Sequence, residues 1–214
     1  MVKHFLFILT LIGVVACGQQ QESESTTAAE TPAAEVTADN RPLEQQVNDT
    51  SRYFAGQAFS ALNAVLMQKI KEVGPDGAVL FCNERALPLT DSVAQQHGIN
   101  IQRLAYRNRN PSNATTNEER NILVGWEESL KKNQALTPKI VQNGEQIDWY
   151  GAITIAHPRC LDCHGLLQEG DILNETLQQI KKHYPNDKAV NFELGDVRGM
   201  WKISYPRGFF EKGA

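Results

Sequence analysis

The chain has 214 residues, 41% hydrophobic and 21% charged, with a formal net charge of −4 at pH 7. An acidic balance leaves no electrostatic footprint for nucleic acid, and no internal repeat points to a solenoid or propeller. The length suits one domain of ordinary size with a core of its own.

Residues 1–16 read as a lipoprotein signal peptide. Lys3 supplies a positive charge, Phe5 to Val15 form an apolar run interrupted only by Thr10, and the small Ala16 precedes Cys17. The run is shorter than the ~20 apolar residues a spanning helix needs, and Val14-Val15-Ala16-Cys17 resembles the bacterial lipobox. Cleavage before Cys17 and lipidation of its thiol are expected, with a plain secretory signal as the alternative. Gly18, rather than Asp, after the cysteine fits sorting to the outer membrane of a Gram-negative bacterium. The expectation is therefore a periplasm-facing lipoprotein, anchored to the membrane through Cys17. Losing Lys3 with the signal takes the formal charge from −4 to −5. Residues 17–46 carry Glu, Thr, Ala and Gln with almost no large apolar side chain, so they read as a flexible tether.

Residues 47–214 are expected to form the folded unit. From Arg52 to about Val73, Phe59, Leu62, Val65, Leu66 and Ile70 recur at helical spacing, and Gly74-Pro75 ends the run. A second helical stretch starts at Gly77 and continues past Pro88 to His97, with Gly98 as its stop. On it Ala78, Phe81, Cys82 and Arg85 share a face. Ile99 to Tyr106 reads as a strand, Asn110-Pro111-Ser112-Asn113 as a turn, and Thr115 with Glu118 as a capping box opening a helix to Lys132 with Leu123, Trp126 and Leu130 inward. Lys139 to Gln142 and Trp149 to Ala156 make a hairpin around Asn143-Gly144. Asp171 or Asn174 opens a helix carrying Ile172, Leu173, Leu177 and Ile180, closed by Pro185, and a last strand runs from Val197 to Tyr205. Helices first and an antiparallel sheet later make an α+β pattern.

The chemistry lies in the loop after the hairpin. Cys160, Leu161, Asp162, Cys163 and His164 spell C-x-x-C-H, the spacing of a c-type haem attachment site. Each thiol can add to one vinyl group of the porphyrin, and the adjacent imidazole is placed to coordinate the iron. One covalent haem c is expected. With Cys17 assigned to lipid and Cys160 and Cys163 to thioethers, Cys82 is the remaining cysteine, and no structural disulfide is left to form. A lone thiol in an oxidising compartment has to be buried or coordinated, so Cys82 is either the second axial ligand or an inert buried cysteine. A thioredoxin-like redox pair lacks its βαβ setting here. A zinc site would need a fourth ligand, for which Cys82 could serve.

The set VLFCNERALPL, RLAYRNRNPSN, EERNILVGW, CLDCHG, Tyr184-Pro185 and Leu194 to Gly199 resembles the PAS-like c-type haem domain family, represented by a photosystem-associated cyanobacterial haem protein. The resemblance implies a PAS-like fold, with long N-terminal helices packed on an antiparallel sheet. It also implies a six-coordinate haem held by His164 and Cys82. A thiolate on ferric iron lowers the reduction potential. Other candidates for the open face have simpler readings: His97 as a helix terminus, His157 as a loop former, His183 as a charge at a helix C-terminus, and Met67 and Met200 as packing residues. Arg103, Arg107 and Arg109 form the basic cluster, and Arg103 and Arg107 are candidates for haem propionates. Trp126, Trp149, Tyr150, Trp201 and Phe209 are expected in the core or pocket wall.

A redox or electron-transfer role is favoured, with a redox or signalling partner protein yet to be named. The alternatives are a sensor of redox state or of a diatomic gas that acts through a partner, and a peroxidase-like enzyme. The last lacks a convincing distal acid-base pair.

Overall fold

The computed structural model describes residue 39 and residues 41–211. The signal peptide, Cys17 and most of the tether lie outside the described residues.

Helix α1, Leu43–His97, is interrupted at Gly74, whose φ of 74° is a left-handed value that Pro75 then follows at the head of the next turn. Running straight, the chain from Phe54 to His97 would span ~64 Å at 1.5 Å per residue, yet their rings lie 4.6 Å apart. The helix therefore folds back on itself as a hairpin of two limbs. Its start at Leu43 lies before both the expected helix at Arg52 and the expected domain boundary at residue 47. Arg41, paired with Asp39 and Asp49, ties down this first turn. Gly98, at φ 64°, ends the second limb as expected.

Four strands follow: β1 (Asn100–Leu104), β2 (Lys139–Asn143), β3 (Gln146–Thr154) and β4 (Val197–Pro206). They form one antiparallel sheet in the order β1-β4-β3-β2. The remaining helices are α2 (Asn117–Lys131), the single turn α3 (Leu161–His164) and α4 (Asn174–His183). The α+β expectation therefore holds.

Alternation along the strands gives the sheet two faces. Ile101, Ile147, Trp149, Trp201, Ile203 and Tyr205 bury against Val47, Phe54, Ala55, Ala58 and Ala94 of the α1 hairpin. On the other face Leu104, Tyr150 and Met200 meet Leu123 and Trp126 of α2. A smaller cluster of Val79, Ile172, Ile180 and Tyr184 locks the second limb of α1 to α4.

Several local expectations shift. The capping box is built by Thr116 and Glu119, one residue later than Thr115 and Glu118. The β2–β3 hairpin turns on Gly144 and Glu145, since Asn143 pairs directly with Gln146, and β3 starts earlier than Trp149. Helix α4 opens at Asn174, and Asp171 instead accepts the Leu166 N–H at 2.8 Å. Phe59 and Leu173 are exposed, at 54% and 61%, so neither belongs to the core. Arg85 is exposed as well and does not share the buried face of Ala78. Among the described residues no helix is long and apolar enough to cross a membrane.

Candidate functional site

Antiparallel pairing brings the C-terminal ends of β1 and β3 and the N-terminal end of β4 to the same end of the sheet. The C-x-x-C-H segment leaves β3 at that end. A 3-10 turn, Pro158–Cys160, starts it: His157 Nδ1 accepts the Arg159 N–H at 3.1 Å, and Pro158 occupies a position where no N–H is needed. Helix α3 follows directly, and Gly165 closes it with an N–H donated to Leu161 O at 2.9 Å. A Cβ on Gly165 would lie 2.8 Å from that oxygen and 2.5 Å from Asp171 Cβ, so only glycine lets the chain turn here. Cys160, Cys163 and His164 are thereby presented half-buried on consecutive helical turns.

His164 is oriented by the chain downstream of α4. Its Nδ1 lies 2.7 Å from Ala189 O. A carbonyl can only accept, so Nδ1 carries the proton and Nε2 keeps its lone pair for a metal. The His164 carbonyl accepts the Phe192 N–H at 2.9 Å, and the two rings meet edge to face, 6.3 Å apart. Burial, helped by the charges of Arg198 and Arg109, holds the imidazole pKa well below its usual value against the opposing Ala189 hydrogen bond. The neutral, ligand form of the ring is thus the resting one.

Cys82 approaches from the second limb of α1. That limb is tied to α4 by Val79 against Ile180 and Tyr184 and by Asn83 Nδ2 donating to His183 O at 3.4 Å. Burial raises the Cys82 thiol pKa while Arg103 and Arg109 oppose the shift. Burial likewise pushes Cys163 up to about 11; Arg109 opposes, and the charge of Cys82 adds to the rise. Cys82 and Cys163 therefore sit in one electrostatic neighbourhood although they are far apart along the chain. No three or more His, Cys, Asp or Glu side chains converge as a metal-ion cage among the described residues.

Four arginines surround these groups. Arg107 lies over the Phe192 ring at 3.7 Å and donates to Asn191 O at 2.9 Å and to Val190 O. Arg198, 5.3 Å from the same ring, donates to Arg107 O at 3.1 Å. Arg103 donates to Ala86 O at 3.3 Å. Arg109 grips both oxygens of Asp187 at 3.1 Å, the one carboxylate paired with this cluster among the described residues. Burial and the neighbouring Arg109 lower the Arg198 pKa, with Asp187 opposing. Arg103 Nε and Arg198 Nε are buried with no hydrogen-bond partner. Orphaned, desolvated guanidinium nitrogens are costly unless an acceptor reaches them. The donor set suits a group bringing anionic oxygens to the arginines and a metal to imidazole and sulfur.

A model of the Tll0287-like family matches residues 20–206. The chain belongs to the Tll0287-like family. Its fold is similar to the crystal structure of the cyanobacterial heme-protein Tll0287, with a TM-score of 0.54 and 21% identity, covering 78% of this chain and 98% of that one. No curated protein matches.

Within this Tll0287-like fold the rival residues have structural roles. His97 packs on Phe54, His157 shapes the 3-10 turn, and His183 gives its carbonyl to Asn83. Met200 is fully buried between β4 and α2, and Met67 is half-buried on the first limb of α1. A shallow groove of about 690 Å³ along α2, beside Ile122, Trp126 and Lys139, shares no residue with the motif. Asp187, Ala189 and Phe192 belong to the site but carry no motif, whereas Arg198 lies inside the Leu194 to Gly199 segment set apart in the sequence. An Arg at the start of an apolar strand is the one further signal among them.

Proposed function

We propose that this chain is an exported c-type haem protein of PAS-like fold, anchored to the membrane through Cys17, that takes part in redox or electron transfer with a partner protein. The observation that carries the reading is the meeting of a C-x-x-C-H turn, whose imidazole is neutral with Nε2 unused, with a second cysteine neighbourhood and unpaired buried guanidinium nitrogens. Membership of the Tll0287-like family, and a fold similar to that of a cyanobacterial heme-protein, support a haem at this position.

Cys160 and Cys163 would hold the haem by adding S–H across its vinyl groups, each sulfur bonding one vinyl carbon while the proton goes to the other. His164 would bind the iron through Nε2, and Cys82 would be the second axial ligand. Arg103, Arg107 and Arg198 would pair with the propionates, relieving the orphaned Nε atoms. When bound, the haem supplies one-electron chemistry, and thiolate ligation favours the ferric form. The signal-like residues 1–16 and Cys17 support delivery to the periplasmic side, where covalent attachment is made.

Intact mass of the full chain, expressed with the haem-attachment machinery, tests the first step. One macrocycle adduct is expected in the wild type and none in Cys160→Ser/Cys163→Ser. A colourless wild type with no adduct would end the reading. Optical and EPR spectra of Cys82→Ala should lose the low-spin thiolate signature, whereas spectra matching the wild type would exclude Cys82 as ligand. Ligand-inert, reversible redox cycling supports electron transfer, and fast carbon monoxide binding with loss of the thiolate signal would replace it with sensing.

A further inference from the structure

His164 does not have its hydrogen-bond acceptor to itself. Its Nδ1–H donates to Ala189 O at 2.7 Å, and Arg109 Nη2 donates to the same oxygen at 3.1 Å. The arginine is held through Nε and Nη2: it binds both Asp187 oxygens at 3.1 Å and donates to Cys163 O at 2.6 Å. Asp187 Oδ1 also accepts the Ala189 N–H at 2.9 Å, which fixes the peptide that carries the shared carbonyl. Side-chain exposures of 13% and 8% keep this pair out of bulk water, where its geometry and charge count most.

The physics gives a direction. The partner of the outer nitrogen of a metal-binding imidazole sets its ring orientation and basicity, and a stronger acceptor makes the ring a stronger donor to the metal. A carbonyl that already accepts from a guanidinium has less electron density left for the ring N–H. The imidazole therefore stays closer to neutral and donates less charge through Nε2. The nearby cation acts in the same sense, because it favours the state with one more electron.

We propose that Arg109, clamped by Asp187, is a positioning residue that raises the reduction potential of iron bound at His164 by sharing the Ala189 carbonyl oxygen. The proposal rests on the haem reading above. It assigns to Arg109 a role separate from propionate binding, carried by Nε and Nη2, which donate to Asp187, Ala189 and Cys163.

The experiment uses the haem-loaded full chain, with Arg109→Gln and Arg109→Lys beside the wild type. Two quantities are read: the midpoint potential, and the ring N–H resonance of His164 in histidine-labelled protein in the diamagnetic low-spin ferrous state. For Arg109→Gln the reduced-to-oxidised ratio at fixed ambient potential should fall about tenfold, equivalent to about 59 mV for a one-electron couple, and the ring proton should move downfield. Arg109→Lys restores the cation without the planar fork, so it should recover part of the potential and keep the downfield shift. It also carries the test should Arg109→Gln fail to load haem. A wild-type potential in either variant overturns the proposal. So does a lowered potential with an unmoved ring proton, which would reduce Arg109 to a distant charge. A wild type without a haem adduct would instead bring down the haem reading itself.

Discussion

The two ends of the sheet are built on opposite rules. At the end where α1 begins, apolar surfaces close on one another and buried polar atoms are paired: Tyr205 OH lies 2.9 Å from Ser51 Oγ, and Trp149 Nε1 donates to Asn48 Oδ1 at 2.9 Å. Phe209 and Phe210 cap Tyr205, each 4.9 Å away ring to ring. At the end that carries C-x-x-C-H, Asp187 pairs with Arg109 alone among Arg103, Arg107, Arg109 and Arg198, and two guanidinium Nε atoms have no acceptor among the described residues. One end is finished as a protein core, while the other has the chemistry of a binding site. Stability and function are thus separated along the strands, and substitutions at the two ends should behave differently.

The largest expected effect is at the finished end. Phe54 is 5% exposed and joins both limbs of α1 to the sheet. Phe54→Ala should cost about 3–5 kcal/mol of stability, equally with and without haem, and leave the adduct mass unchanged. Urea unfolding of both forms checks this. A selective loss in the loaded form alone would show that the two ends are coupled.

Arg198→Met should reverse sign between the two forms. Without haem it removes a desolvated cation crowded by other cations, at the cost of a hydrogen bond to Arg107 O. Replacing an uncompensated buried charge with an apolar side chain of similar volume removes its desolvation cost, so the haem-free protein should be as stable as the wild type or more so. In the loaded protein the same substitution would remove a proposed propionate partner, so stability and haem yield should fall. Melts of the two forms side by side are decisive: a loss in the haem-free protein would mean that Arg198 serves the fold.

The sequence read well wherever a signal is local. The break at Gly74-Pro75, the stop at Gly98 and the hairpin near Gly144 all depend on backbone preferences of the residues themselves. It read poorly wherever tertiary contacts decide between equal local options. Thr115-Thr116 and Glu118-Glu119 offer two capping boxes in adjacent registers. The second is taken, and it leaves Glu119 to receive Lys202 Nζ at 3.0 Å. The same lysine lies 3.4 Å from Asp148, which lets a carboxylate sit buried in β3 and explains why that strand starts before its apolar run. At the site, Cys160, Cys163, His164 and Cys82 were visible because their side-chain chemistry is rare and spaced. The Ala189 carbonyl was not, since any residue could supply it. Arg109 and Asp187 matter through that backbone group and share its invisibility.

The smallest effect is a pH slope, and it isolates the unfinished end. In the haem-free protein His164 is held neutral by burial and by Arg198 and Arg109, with its pKa well below the usual value. In the unfolded chain the same ring titrates near the ordinary histidine value of about 6.5. Below that pH the unfolded chain binds a proton that the folded one refuses, so stability present above about 6.5 is lost as pH falls toward the folded pKa. The slope should reach at most about 1.4 kcal/mol per pH unit. His164→Gln keeps a donor for Ala189 O without a titrating ring and should flatten the slope between about pH 5 and 7. Haem loading should flatten the same window, because a ring whose Nε2 is committed to iron cannot take the proton. Parallel slopes in the wild type, the Gln variant and the loaded protein would mean that the folded haem-free chain accepts the proton at His164, and that the arginine-rich end is open enough to solvate it.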